Sequence, residues 1–202
     1  MSTLYVLGGA NGVGKTTWYQ FGLESSAISP ELPFINIDMI VLREFGTYTT
    51  ENIVKAEQIA REKMRQLLLE RKDFMIESNL SKTADYDWIE RMRKNGYDTV
   101  LYFLGTGNIE ININRVKARV LEGGHDVAVP IIEQRNLSGM SYLKARVLEF
   151  KIASLIDVST HEPRLMAKLI EGQIVFKEPT CPQWVQAGLE LAERLQHHWK
   201  KH

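Results

Sequence analysis

Cysteine is almost missing from this chain. The single thiol, Cys181, excludes an intramolecular disulfide framework and any multi-cysteine zinc cage. An excess of one charge sign is missing too: Lys plus Arg and Asp plus Glu each number 25 in 202 residues. No net field therefore draws the chain toward nucleic acid or an anionic membrane. No apolar run reaches the length needed to cross a bilayer. Internal repeats, low-complexity tracts and linkers long enough to divide the chain are also lacking. The apolar stretch at residues 2–8 runs directly into a glycine loop, which argues against a signal peptide. These absences lead us to expect a cytoplasmic protein with one domain spanning 1–202, able to bury a sizeable core, and with neither membrane nor nucleic-acid partners.

Strand-like and helix-like patterns alternate along the chain. Leu4–Leu7 is a β-type run closed by Gly8-Gly9, and residues 15–22 can form a first helix. Phe34–Ile37 reads as a second strand ending at Asp38. From Thr50, taken as an N-cap, to Arg71 the apolar positions Ile53, Ala56, Ala60 and Met64 recur at helical spacing. Phe74–Ile76 is a third strand, 85–94 a helix stopped by Asn95-Gly96, and Val100–Leu104 a fourth strand. Ile109, Ile113, Val116 and Val120 form one face of a helix over 108–122, and Gly123-Gly124 ends it. Residues 131–152 read as helical with an interruption at Ser138-Gly139. Ser154–Asp157 is a weak fifth strand, 167–177 holds further strand, and 184–200 is an amphipathic helix. Such alternation predicts an α/β fold in three layers, with a mainly parallel central sheet covered by helices on both faces.

Gly9-Ala10-Asn11-Gly12-Val13-Gly14-Lys15-Thr16 matches G-x-x-x-x-G-K-[ST] at every fixed position, between a predicted strand and a predicted helix. The glycines let successive backbone N–H groups turn inward around phosphate oxygens, and the following helix adds its positive end. Lys15 is expected to reach the β- and γ-phosphates of ATP, the Thr16 hydroxyl to ligate Mg²⁺, and Thr17 to lie against the same phosphates. Asp38 and Glu77 follow successive strands, at the edge where open α/β sheets bind ligands. A carboxylate in Asp38's position either accepts the proton of an attacking hydroxyl or caps a helix over 39–45. Glu77 either holds the water shell of Mg²⁺ or a substrate hydroxyl, or else caps a turn. Arg115, Lys117, Arg119 and Arg135 bracket Gly123–Pro130, a glycine- and proline-bounded segment that reads as a lid. Arginines at its base either swing onto a γ-phosphate or form a solvated helix face. His125 lacks partners at metal-ligand spacing and reads as a hinge or cap.

Taken in order, LYVLGGANGVGKTT, FINID, FMIESNL, RVKARVLEGGHDVAVP with Arg135 beyond it, and SLIDVST resemble the zeta toxin family of P-loop kinases. The resemblance implies a phosphotransferase with Asp38 as general base, Glu77 in the magnesium or substrate shell, and Arg119 and Arg135 on the transferring phosphate. It implies ATP and Mg²⁺, a UDP-amino sugar such as UDP-N-acetylglucosamine as hydroxyl acceptor, and a separate antitoxin protein as partner. The basic residues Lys82, Arg91, Arg93 and Lys94 are the expected holders of the acceptor's diphosphate. Two departures bear on the acceptor: a slightly longer link between the glycine pair and Pro130, and Asn136 where the family commonly has an aromatic residue. A metabolic or antibiotic-modifying kinase on the same scaffold and an ATP-dependent switch are the alternatives.

Overall fold

In the computed structural model, which describes residues 2–199, the chain runs through β1 (Thr3–Gly8), α1 (Lys15–Glu24), β2 (Phe34–Ile35), α2 (Ile37–Phe45) and α3 (Thr50–Leu69). It continues through β3 (Phe74–Ser78), α4 (Thr83–Lys94), β4 (Asp98–Gly105), α5 (Ile109–Leu121) and α6 (Val129–Arg146). After a 3₁₀ turn at Val147–Glu149 come β5 (Ile152–Asp157), β6 (Arg164–Ile170), β7 (Gln173–Lys177) and α7 (Gln183–Trp199). The strands form one sheet in the order β2-β3-β1-β4-β5-β6-β7. Pairing is parallel from β2 to β5 and antiparallel through β6 and β7.

The period-two alternation of the strands explains the layers. Leu4 and Val6, Phe74 and Ile76, and Leu101 and Phe103 point to a large core shared with α2, α3, α4, α6 and α7. The intervening residues Leu7, Met75 and Leu104 face the opposite side, where Val13, Tyr19 and Ile156 complete a second core. Ile113 and Val116 of α5 pack with Ile132 of α6 in a third, smaller cluster. The three-layer α/β fold expected from the sequence is thus present. Among the described residues no helix is long and apolar enough to cross a membrane.

Four local expectations need correction. The second strand stops at Ile35, because the Asn36 side chain accepts from Met39 N at 2.9 Å and starts α2 at Ile37. Asp38 consequently lies in the first turn of a helix rather than at a strand end. The cap of α3 is Thr49, one residue before the expected Thr50. Helix α6 runs through Ser138-Gly139 without interruption. A Cβ on Gly139 would come no closer than 3.4 Å to Asn79 O, an ordinary contact, so the helix is neither broken nor crowded at this residue. The non-helical lid covers 122–128, since Val129 and Pro130 already belong to α6, where proline suits the first turn. The last helix matches the expectation as far as Trp199; Lys200 lies outside the described residues.

Candidate active site

The glycine loop joins β1 to α1 at the carboxyl edge of the sheet. Gly9, Gly12 and Gly14 have φ of 136°, 72° and 106°, the left-handed region that side chains disfavour. At Gly12 space is excluded as well: a Cβ would sit 2.2 Å from Asn112 O. Val13 is buried in the second core and pins the loop from below. Helix α1 then starts after Gly14 with no side-chain cap and no acidic residue in its first turn. Its first N–H groups and its positive end therefore remain open toward an anion.

Three side chains brace this loop. Asn112, fully buried, donates to Asn11 O at 3.1 Å and accepts from Thr106 Oγ1 at 2.7 Å. Arg115 donates to Val13 O at 2.9 Å and to Val158 O at 2.8 Å. Arg135 reaches from α6 to Asn11 Oδ1 at 2.8 Å. The sequence reading missed Asn112 and grouped Arg115 with the lid arginines. A signal for Asn112 did exist, a polar residue on the apolar stripe between Ile109 and Val116.

In front of the loop is a cavity of about 400 Å³ lined by Asn11, Gly12, Gly14, Lys15, Thr16, Thr17, Asp38, Glu77, Arg115 and Arg119. Lys15 is buried within it, donating to Gly9 O at 2.6 Å, Ala10 O at 3.2 Å and Asn79 Oδ1 at 3.2 Å. Glu77, inside β3 rather than after it, brings Oε1 to 3.6 Å from Lys15 Nζ and accepts from Asn36 Nδ2 through Oε2. Burial pushes the Glu77 carboxyl above its ordinary value, and the neighbouring ammonium opposes this. Burial likewise pushes Lys15 down, opposed by the charges of Glu77 and then Asp38. Each charge offsets part of the burial penalty of the other in a site that favours neither alone.

Arg119 is tied to the lid, donating from Nη2 to His125 O at 2.9 Å, while its buried Nε has no partner among the described residues. The His125 ring stacks on Tyr48 with centroids 5.0 Å apart, and Tyr48 in turn donates to Asp38 O at 3.3 Å. Burial, followed by the charge of Asp38, pushes the Tyr48 hydroxyl up. Lys117 is exposed and does not line the cavity.

Two further cavities flank the first. One, about 570 Å³, shares Val13, Gly14, Thr17 or Arg115 with the loop region and adds Trp18, Phe21, Val158 and His161. The other, about 500 Å³, lies between α3 and α4 over the ends of β2 and β3, with Glu77 in the wall it shares with the central cavity. The four basic residues expected beside Glu77 are not on this wall. Arg93 donates to Glu149 O, Lys94 pairs with Glu90 at 2.8 Å, and Lys82 and Arg91 are exposed. They follow Glu77 in sequence, but α4 turns them away.

The residues fit a hard divalent cation held mostly by phosphate and water. Thr16, Asp38 and Glu77 offer oxygen donors around one cavity, and among the described residues no cluster of three or more His, Cys, Asp or Glu forms a protein-only cage.

A mainly parallel sheet with a glycine loop between its first strand and helix, and a lid-like segment before α6, defines the P-loop kinase fold. Solved structures with the same architecture include a chain of the AvrRxo1-ORF1:AvrRxo1-ORF2 crystal structure with sulphate ions. It matches with a TM-score of 0.66 at 16% identity, covering 96% of this chain and 63% of that one. The chain therefore spans slightly less than two thirds of that neighbour. A chain from the PezAT chromosomal toxin–antitoxin system of Streptococcus pneumoniae gives 0.62 at 14% identity, covering 96% and 85%. No protein-family model matches. An uncharacterized protein of Haemophilus influenzae is 28% identical over 127 residues, 63% of this chain and 87% of that protein. At such identities the likeness establishes a common fold with these two solved structures, the fold that the resemblance to zeta toxins implies.

Proposed function

We propose that this chain is a zeta-toxin-like kinase that transfers the γ-phosphoryl group of ATP to a hydroxyl of a small molecule. One observation carries the reading: Lys15, Thr16, Asp38, Glu77 and Arg119 surround a single cavity at the uncapped start of α1. In this reading the loop from Gly9 to Thr17 cradles the triphosphate, and the cavity beside Trp18 and Phe21 takes the base. Lys15 leaves its loop carbonyls to meet the β- and γ-oxygens. The acceptor enters from the cleft beyond Glu77, and its hydroxyl gives its proton to Asp38 as the oxygen attacks phosphorus. The bond from phosphorus to the ADP oxygen breaks, while Arg119 and Arg135 neutralise charge on the moving group. Thr16 and Glu77 would hold Mg²⁺, which supplies further neutralisation of the β- and γ-oxygens when bound. A neighbouring structure, AvrRxo1-ORF1:-ORF2, was solved with ATP, which supports the choice of nucleotide. The toxin–antitoxin origin of the PezAT structure supports a separate inhibitor protein as partner. A UDP-amino sugar as acceptor rests on the resemblance alone, because the cations meant for its diphosphate lie elsewhere.

The test is to incubate the protein with Mg²⁺ and ATP labelled in its γ-phosphate, then separate the products. Label on a hydroxyl compound, absent in the Asp38→Asn variant, is the expected result. Release of free phosphate with no labelled acceptor would replace transfer by the switch reading.

A further inference from the structure

Three helices direct their N-termini at the site, and they are not alike. The start of α1 is bare, with Gly14 as a cap that contributes no side chain. The start of α2 is filled by Asn36, whose Oδ1 accepts from Met39 N. The start of α4 has no side-chain cap on its own N–H groups, but its first turn carries Asp85, whose Oδ2 accepts from Lys82 N at 3.3 Å. An anion gains from a helix N-terminus only where the N–H groups are free. Of the three, only the start of α1 carries neither a side-chain cap nor a first-turn carboxylate, which makes it the anion seat of the site.

The cleft between α3 and α4 offers no second one. Its ionisable wall groups are Glu77, Asp85 and Arg61. Arg61 is the sole cation among them, and its guanidinium is largely exposed and 3.3 Å from Glu57. Apart from Ser78 the remaining wall is apolar, with Trp88, Met64 and Ile89 lining the space. A phosphate or carboxylate brought here would meet two carboxylates while Arg61 is already turned to Glu57, an arrangement that selects against anions. A flat ring with an apolar face would instead lie on the indole while its polar edge reached Asp85 and Glu77.

We infer that the acceptor is a non-anionic hydroxyl compound, uncharged or amine-bearing, with a flat apolar face that rests on Trp88 between α3 and α4. This rests on the kinase reading and narrows it, since it excludes a nucleoside-diphosphate sugar from the acceptor cleft.

A deproteinised small-molecule cell extract, divided by ion exchange into anionic, uncharged and cationic pools, supplies the test. Each pool is incubated with the protein, Mg²⁺ and γ-labelled ATP, alongside uridine, glucosamine and UDP-N-acetylglucosamine as defined probes. Label should appear in the uncharged or cationic pool, with UDP-N-acetylglucosamine at least about tenfold poorer in kcat/KM than the best compound there. For that compound, Trp88→Ala should raise the acceptor KM about tenfold or more and the KM for ATP less than about twofold, and Trp88→Phe should recover most of the loss. Label confined to the anionic pool overturns the inference, as does an acceptor KM unmoved by Trp88→Ala. Free phosphate without a labelled compound in any pool sinks the transfer reading itself, and this inference with it.

Discussion

Replacing Lys15 by methionine keeps the buried stem and removes the ammonium, leaving Glu77 in the cavity wall without its cation. Breaking a buried pair in this way typically costs about 3–5 kcal/mol when the surviving charge has no escape. Glu77 does have one, because burial already favours its neutral form and a proton can be taken up. Holding that proton costs about 1.4 kcal/mol for each pH unit above the ordinary carboxyl value of 4.5. The loss is therefore capped at about 3.5 kcal/mol at pH 7 and at about 0.7 kcal/mol at pH 5. The sign follows from proton counting. In the variant the native state holds more protons than the unfolded state above pH 4.5, so stability falls as pH rises. Removing Lys15 also removes an ammonium that burial disfavours, which brings the variant within about 1 kcal/mol of the parent at pH 5. Urea denaturation at pH 5 and pH 7.5 reads both values, and adding Glu77→Gln should restore most of the stability at the higher pH. A loss of equal size at both pH values would refute the reasoning, as would a double variant no more stable than Lys15→Met at pH 7.5.

The remaining expectations concern catalysis and packing. Asp38→Asn should leave ATP affinity within a few fold, measured by calorimetry, and lower the transfer rate at least roughly a hundredfold; an unchanged rate would make Asp38 a helix residue only. Arg119→Ala and Arg135→Ala should each lower kcat more than they raise the KM for ATP, because the charge they meet peaks in the transition state. Steady-state kinetics showing full activity in both would reduce the 115–135 region to a helical surface. Gly139→Ala should stabilise the protein by about 0.5–1 kcal/mol, since the added Cβ makes only ordinary contact with Asn79 O at 3.4 Å and removes a glycine from mid-helix. Thermal unfolding would show it, and a lowered midpoint would mean that α6 cannot give at that contact.

The phosphate loop was legible because its chemistry is local. Glycines, lysine and threonine act through backbone geometry fixed by a strand before and a helix after. Strand alternation was legible for the same reason, as Leu4 and Val6 and their neighbours show. What the sequence concealed depends on residues far apart in the chain. Phe34–Ile37 has a strand's composition, yet a single asparagine cap converts its second half into a helix and moves Asp38 with it. Gly139 looks like a breaker, yet the buried Ile132 and Leu143 on either side of it hold α6 continuous against its neighbours. Charge proximity in sequence misplaced Lys82, Arg91, Arg93 and Lys94, because which face of α4 meets β3 is decided by the burial of Tyr86, Ile89 and Met92. The acceptor cleft exists only where α3 and α4 meet over two strands, and no short motif encodes it.

The position of β1 within the sheet also sets an order of events during synthesis. Leu4 pairs with Phe74 and Thr3 with Asp98, so β1, made before both partners, must wait for β3 and β4 before either of its edges is occupied. Until then the glycine loop hangs from an unpaired strand, and the braces from Asn112 and Arg115 do not exist. Arg135 closes the last of these links, through Asn11. A nascent chain interrupted before that residue would carry the complete phosphate motif and still lack a formed phosphate site. Competence to bind nucleotide thus arrives well after the motif that signals it has been made.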